Sequence, residues 1–273
     1  MDYTTIKKYI SSARLLPYEE VCNNNTQRAL KLYQVNLRLS AAFYPLLSLF
    51  EIVLRNALNE ELIVHFNDPN WLQNQRSGFM SNPTLTHYNN NLHRNVTNDY
   101  LKKSVQKIIN KNSGRTTQGM IISDLTFGFW TDLFERINFQ NLQGRPIKIF
   151  HYLPAGMNRN QINQKLNKIR QFRNRISHHE TIIFAKDVND QRIFSLIEAN
   201  EIYGDIQDIF SWLNLDFNVW TRKIDNVAFE IERAKSMYHH YPRFRYYILR
   251  MKIGFKLYKE RYLRKSNSSG FKK

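Results

Sequence analysis

Residues 46–58, Leu46-Leu47-Ser48-Leu49-Phe50-Glu51-Ile52-Val53-Leu54-Arg55-Asn56-Ala57-Leu58, decide the fold. Apolar side chains fall at Leu46, Leu49, Phe50, Val53, Leu54, Ala57 and Leu58. That is the three- and four-residue rhythm of an α-helix, not the alternation of a strand. The stripe is wide, which predicts a helix set deep in a bundle. Glu51 and Arg55 interrupt it at a spacing of four, where a helical ion pair can form. On so apolar a helix the two charges are expected to be partly buried and paired.

The pattern extends outward in both directions. On the N-terminal side, Leu30, Tyr33, Leu37, Ala41 and Tyr44 recur at helical spacing from Thr26, and Pro45 is expected to end or kink that helix. Residues 1–20 are a short leader with helical promise from Thr4 to Leu15. Residues 67–97 are rich in Asn, Ser, Thr and Pro and read as loop. From Asn98 to Lys111 the spacing predicts an amphipathic helix with Leu101, Val105, Ile108 and Ile109 inward and Lys102, Lys103, Lys107 and Lys111 on the other face.

Met120 to Ile137 is dense in aromatics, with Ser123 or Asp124 as a helix cap. Phe127, Phe129, Trp130 and Phe134 read as core, with base stacking as the other use of such rings. Gly128 among them suits a close backbone approach. Arg145–Tyr152 is ambiguous between strand and helix, Asn160–Ser177 is a basic helix, and Glu198–Ile231 holds one or two more. No clear strand and no fixed-period repeat is visible. With Gly at 9 and Pro at 7, the fold class is all-α.

The charge is far from balanced. Lys and Arg number 40 against 23 Asp and Glu, a net +17. Residues 241–273 hold 11 of the basic residues and a single acid, Glu260, so +10 lies there and +7 in residues 1–240. Such an excess calls for a polyanionic partner, a nucleic acid or an anionic membrane surface. In the tail, Arg243, Arg245, Arg250, Lys252, Lys256, Lys259, Arg261, Arg264 and Lys265 are interleaved with tyrosine and phenylalanine. Cations can take phosphates while the rings stack bases. An amphipathic helix covering the bundle, with Ile248, Met251 and Phe255 inward, is the plainer use of the same residues.

The lone Cys22 cannot close an internal disulfide and reads as a buried thiol. The N-terminus lacks an apolar signal region, and within the most apolar stretch, Leu37–Phe66, the longest uncharged run, Leu39–Phe50, is 12 residues, short of a span. A cytoplasmic protein without stable membrane insertion is expected.

One segment carries the parts of a chemical site: Ile169-Arg170-Gln171-Phe172-Arg173-Asn174-Arg175-Ile176-Ser177-His178-His179-Glu180. Arg173-Asn174-x-x-x-His178 supplies a fixed cation, an amide and an imidazole within two helical turns. Imidazole can move the proton of a ribose 2′-hydroxyl or of the leaving 5′-oxygen, and a guanidinium can hold the phosphate. Five residues at about 100° each leave Arg173 and His178 about 140° apart on a straight helix. Either the helix unwinds at His178, or two copies of the chain complement each other across a symmetric dimer. The plain alternative is a solvated basic helix end whose cations suit the helix dipole. His178 and His179 side by side do not make a metal site without a further ligand at metal spacing, and no cofactor is expected.

Three segments resemble the Abi-like proteins, the abortive-infection branch related to AbiD and AbiF within the HEPN superfamily. Arg173-Asn174-Arg175-x-x-His178-His179 is similar to that family's RNRxxHH signature. Leu49–Ala57 is similar to its LEIxLRN helix, and Leu125–Phe134 to its LSFGFW…LF segment. They stand in the family's order across roughly residues 30–225. The resemblance implies a HEPN-like helical bundle, read over residues 1–235; the basic aromatic extension over residues 236–273 lies beyond the matched segments, and the resemblance does not account for it. It implies phage defence through attack on RNA by a homodimer without a metal. Arg173 would be the phosphate-stabilising cation, His178 the acid or base, and Asn174 the orienting amide. His179, Arg170 and Arg175 would support or substitute. On the residues themselves, Arg55 serves helix stabilisation and core anchoring, with an RNA-facing patch of Arg55 and Asn56 as the other use. The RNA could be a cognate structured small RNA.

Overall fold

The computed structural model describes residues 1–238 apart from Leu92, Ser113 and Gly114. The arginines and lysines expected to bind RNA from Arg243 to Lys265 lie outside the described residues. What is described is helical, with two short hairpins. The chain divides into two compact units.

The first unit comprises residues 1–45, 179–203 and, among those described, 224–238. It contains α1 (Tyr3–Ile10), α2 (Ser12–Val21) and the first half of α3 (Thr26–Phe66). A hairpin of β3 (Phe184–Lys186) and β4 (Arg192–Phe194) follows, then the start of α10 (Ile197–Leu213) and α12 (Val227–Tyr238). Tyr18 sits at its centre, edge-on to Tyr33 at 5.3 Å and to Phe184 at 5.0 Å. Asn36, buried on α3, accepts from the backbone N–H of Ile182 at 2.8 Å. That bond ties down the stretch after the basic helix and leaves no buried amide without a partner there. Cys22 is buried, as expected, and burial pushes its thiol pKa up.

The second unit comprises residues 46–178 and 204–223. It holds the rest of α3, then α4 (Trp71–Asn74) and a hairpin of β1 (Thr86–Asn89) with β2 (Arg94–Thr97). After these come α5 (Tyr100–Lys111), α6 (Gln118–Asp124), α7 (Phe127–Asp132), α8 (Arg136–Asn141), α9 (Arg159–Ser177), the end of α10 and α11 (Phe217–Thr221). Residues 145–149 form a 3-10 turn, which resolves the strand-or-helix ambiguity there. The aromatic segment is core, because Phe127, Phe129, Trp130 and Phe134 are all buried. Phe50 packs edge-on to Phe127 and tilted against Phe210.

Several expectations are corrected. Pro45 does not end the helix, since α3 runs unbroken for 41 residues. The lost backbone hydrogen bond and ring clash cost about 3 kcal/mol. Phe43, Leu46 and Leu47 flank the proline and are buried, each contributing roughly 1.5–3 kcal/mol, so packing outweighs the proline. The inward stripe of the first half is also one position away from the expected one. Ala29, Leu32, Val35, Leu39 and Phe43 are buried, whereas Leu37 and Tyr44 are exposed. The helix is apolar on most of its circumference there, so spacing alone fits either face. By length and composition α3 is a candidate membrane span, yet Leu39, Phe43, Leu46, Phe50, Leu54, Leu58 and Leu62 are buried within the protein.

The four strands were not expected. Each has three or four residues, too few to show alternation. Ser123 and Asp124 end α6 rather than cap the next helix; buried Leu125 is extended, and α7 starts after Thr126. The region expected to hold one or two helices forms α10, α11 and α12, and Trp220 and Ile224 within it are exposed.

Candidate functional site

The site is organised by α9. Asn158 caps its start with a reciprocal capping box, accepting from the Gln161 N–H while the Gln161 side chain accepts from Asn158. Ile162, Leu166, Ile169, Phe172 and Ile176 are buried at helical spacing and lock the helix into the second unit. Arg170 and Arg173, both half-buried, border that stripe, and Asn174 is exposed.

The helix ends at Ser177, and His178 is the capping residue, with φ −89° and ψ 8°. His179 follows in the left-handed region at φ 57°. The helix therefore stops at His178, which is one of the two ways the 140° mismatch could be relieved. Both imidazoles are exposed, and among the described residues no hydrogen bond links His178 to Arg173. A boundary between the two units falls between the two histidines, with His178 closing a stretch of the second unit and His179 opening one of the first. In that unit the His179 carbonyl accepts from Arg14 Nη1 at 2.7 Å.

Each of two arginines meets a carboxylate from a different segment. Arg173 Nη2 lies 3.1 Å from Glu51 Oε2 on α3. Arg170 Nη1 lies 3.4 Å from Asp132 Oδ1 on α7. Two of the sequence segments singled out above thus meet the third, the end of α9. The expected Glu51–Arg55 pair is replaced: Glu51 turns to Arg173, and Arg55 Nε is buried without a hydrogen-bond partner. Asn56 is exposed one residue further on. Arg175 lies over the Phe172 ring at 5.4 Å.

Arg173 is 38% exposed, and its ion pair engages one edge of the fork. A guanidinium has five N–H donors, so others remain for a phosphate. Arg173 Nη1 approaches Asn174 Oδ1 only at 3.5 Å, the outer limit of a hydrogen bond.

The sequence reading missed Asp132. Its side chain is 17% exposed, and burial pushes its pKa up to about 6, with Arg170 opposing the shift and Glu135 adding to it. Glu135 in turn accepts from Asn163 at 3.1 Å and from Asn167 at 3.3 Å. A carboxyl that titrates near neutrality beside an arginine can hold or release a proton. The available signal was an acid standing inside an otherwise apolar aromatic run. Gly128 has the close approach expected of it: a Cβ there would lie 2.8 Å from Tyr100 Oη and 3.3 Å from Arg170 Nη1. Among the described residues no three His, Cys, Asp or Glu side chains cluster as a metal set.

Residues 1–183 match the family described as Abi-like protein. The match covers well over half of the chain, and the protein belongs to the Abi-like family. It takes in the Glu51, Asp132 and Arg173 segments together with both histidines. That membership connects the protein with abortive infection. No curated protein and no solved structure matches the chain.

Proposed function

We propose that the protein is an abortive-infection effector that binds RNA and cleaves it as a metal-independent, HEPN-type endoribonuclease acting as a homodimer in the cytoplasm. The observation that carries this reading is the meeting of the α3 and α7 segments with α9, with Glu51 holding Arg173 while Asn174 and His178 stay open to solvent at the helix end. Arg173 grips the scissile phosphate and stabilises the charge that builds on it. His178 takes the proton of the ribose 2′-hydroxyl; the 2′-oxygen then bonds to phosphorus as the bond to the 5′-oxygen breaks. The leaving oxygen is protonated by an imidazolium or by water. Asn174 orients these groups, with His179, Arg170 and Arg175 in support. The products are a 2′,3′-cyclic phosphate and a 5′-hydroxyl.

The test is induced expression of wild type, Arg173→Ala and His178→Ala, with RNA integrity and growth as readouts. Wild type should cut RNA and arrest growth, also cutting in EDTA in vitro, while both folded variants retain RNA and do neither. Equal behaviour of all three, or strict dependence on added Mg²⁺, defeats the proposal.

A second reading is favoured by the +10 charge of residues 241–273: a non-catalytic module that holds a specific small regulatory RNA. Copurified RNA of one discrete size, with no cleavage by wild type, would support it.

A further inference from the structure

The lysine face of α5 is absorbed by neither reading. Lys103, Lys107 and Lys111 line a groove of about 630 Å³ together with Tyr100, Ser104, Ile108 and the segment Asp124–Thr126. We propose that this groove is the track along which a single-stranded RNA segment runs toward the arginines of α9; the proposal rests on the RNA reading above.

Several observations carry it. Four residues of helix advance about 6 Å, so the three ammonium groups stand in a row at a spacing comparable with successive phosphates of an extended strand. Ile108 and Leu125, both buried, give the groove an apolar floor against which bases can lie. Tyr100, partly exposed, stands at one end, its hydroxyl 3.1 Å from Thr126 Oγ1. Cations along a groove with apolar and aromatic surfaces between them suit a single strand, whose bases are free to stack. The Tyr100 end is also where Gly128 brings Tyr100 Oη and Arg170 Nη1 to the same point of backbone. The groove therefore opens toward the Arg170–Asp132 pair.

Two carboxylates share the groove. Lys103 pairs with Asp99 at 2.9 Å and Lys111 with Asp124 at 3.1 Å. These lysine side chains are 75% and 70% exposed, so the pairs hold little energy and can be exchanged for phosphates. Lys107 has no ion-pair partner among the described residues.

The experiment uses the full chain with His178→Ala as background, so that RNA stays intact, and an unpaired fluorescent oligoribonucleotide of about 20 nucleotides. Lys103→Ala/Lys107→Ala/Lys111→Ala should weaken binding about tenfold at physiological salt. It should also flatten the dependence of log affinity on log salt by about 2, since each single-strand phosphate contact contributes about 0.7. Lys102→Ala removes one charge from the same helix outside the groove, where Lys102 Nζ donates to Ser81 Oγ at 2.9 Å, and should leave affinity and slope unchanged. Asp99→Asn/Asp124→Asn should tighten binding about threefold, a gain that misfolding cannot produce. A triple variant that binds like the background, or an asparagine variant without gain, overturns the groove while leaving the RNA reading standing. Equal affinity for a duplex of the same sequence overturns the single-strand assignment. If the background protein binds no RNA at all, the RNA reading itself fails and takes the groove with it.

Discussion

The two ends of α9 are built to opposite rules. At Asn158 the capping box satisfies the helix terminus, and nearby Asn163 is buried and donates to Glu135. At Ser177 the helix gives way to a left-handed residue, and Asn174, His178 and His179 stand in solvent. Between them lies the buried stripe that ends at Ile176. A rigid, fully bonded end fixes where the helix lies, and an open end leaves polar groups available to a ligand. Arg170 and Arg173 stand at the transition, each held by a carboxylate from another segment.

The largest expected effects separate the two ends cleanly. His178→Ala should lower RNA cleavage by about 100- to 10,000-fold, the range of a lost acid–base group. It should leave the unfolding free energy within the scatter of a surface substitution, about 0.5 kcal/mol. Calorimetry alongside a cleavage assay checks both, and a large loss of stability would show that the open end is structural after all. Phe172→Ala should do the reverse. This ring is fully buried, and its removal should cost about 3–5 kcal/mol in denaturant unfolding. A loss below about 1 kcal/mol would mean that α9 is not anchored by its stripe.

The transition region gives a smaller, pH-dependent effect. Asp132 has its pKa raised from 3.8 to about 6 by burial, so the folded protein holds that proton over a window in which the unfolded chain has released it. Stability from this group therefore falls as pH rises from about 4 to about 6 and is level above. Asp132→Asn removes that slope. The difference in stability between variant and wild type should shift in the variant's favour by about 2–3 kcal/mol across the window, less whatever Arg170 loses with its partner. Thermal melts at pH 4 and pH 6.5 read it, and a constant difference would place the carboxyl in an ordinary solvated environment.

The sequence shows these regions unequally, for physical reasons. The all-α class and the extent of α9 follow from periodicity, because a long amphipathic helix repeats its signal many times. The unbroken course of α3 does not, since Pro45 is a local signal and the burial of Phe43, Leu46 and Leu47 is a tertiary one. The division into two units is equally hidden, because two of its four boundaries fall inside helices, α3 and α10. At the site, Arg173, Asn174 and His178 were legible as residue types at a spacing. Their carboxylate partners were not: Glu51 lies 122 positions before Arg173 and Asp132 lies 38 before Arg170, and nothing local joins them. Glu51 read naturally as the partner of Arg55, four residues away. The structure prefers the distant arginine, which shows that an i,i+4 spacing permits a pair without selecting it.

The smallest effect sharpens the contrast most directly, because it weakens the rigid end without touching the open one. Asn158→Ala removes the side-chain acceptor for the Gln161 N–H and leaves the Gln161 side chain as the only half of the capping box. Loss of such a cap costs about 1 kcal/mol. Helix ends fray over a turn, whereas Arg173 lies 15 residues away behind the stripe from Ile162 to Phe172. Stability measured by denaturant should therefore drop by about that amount while cleavage at saturating RNA stays at the wild-type rate. A matching fall in cleavage would mean that strain at the capped end reaches His178, so that the two ends of α9 move as one body and the open end owes its geometry to the cap.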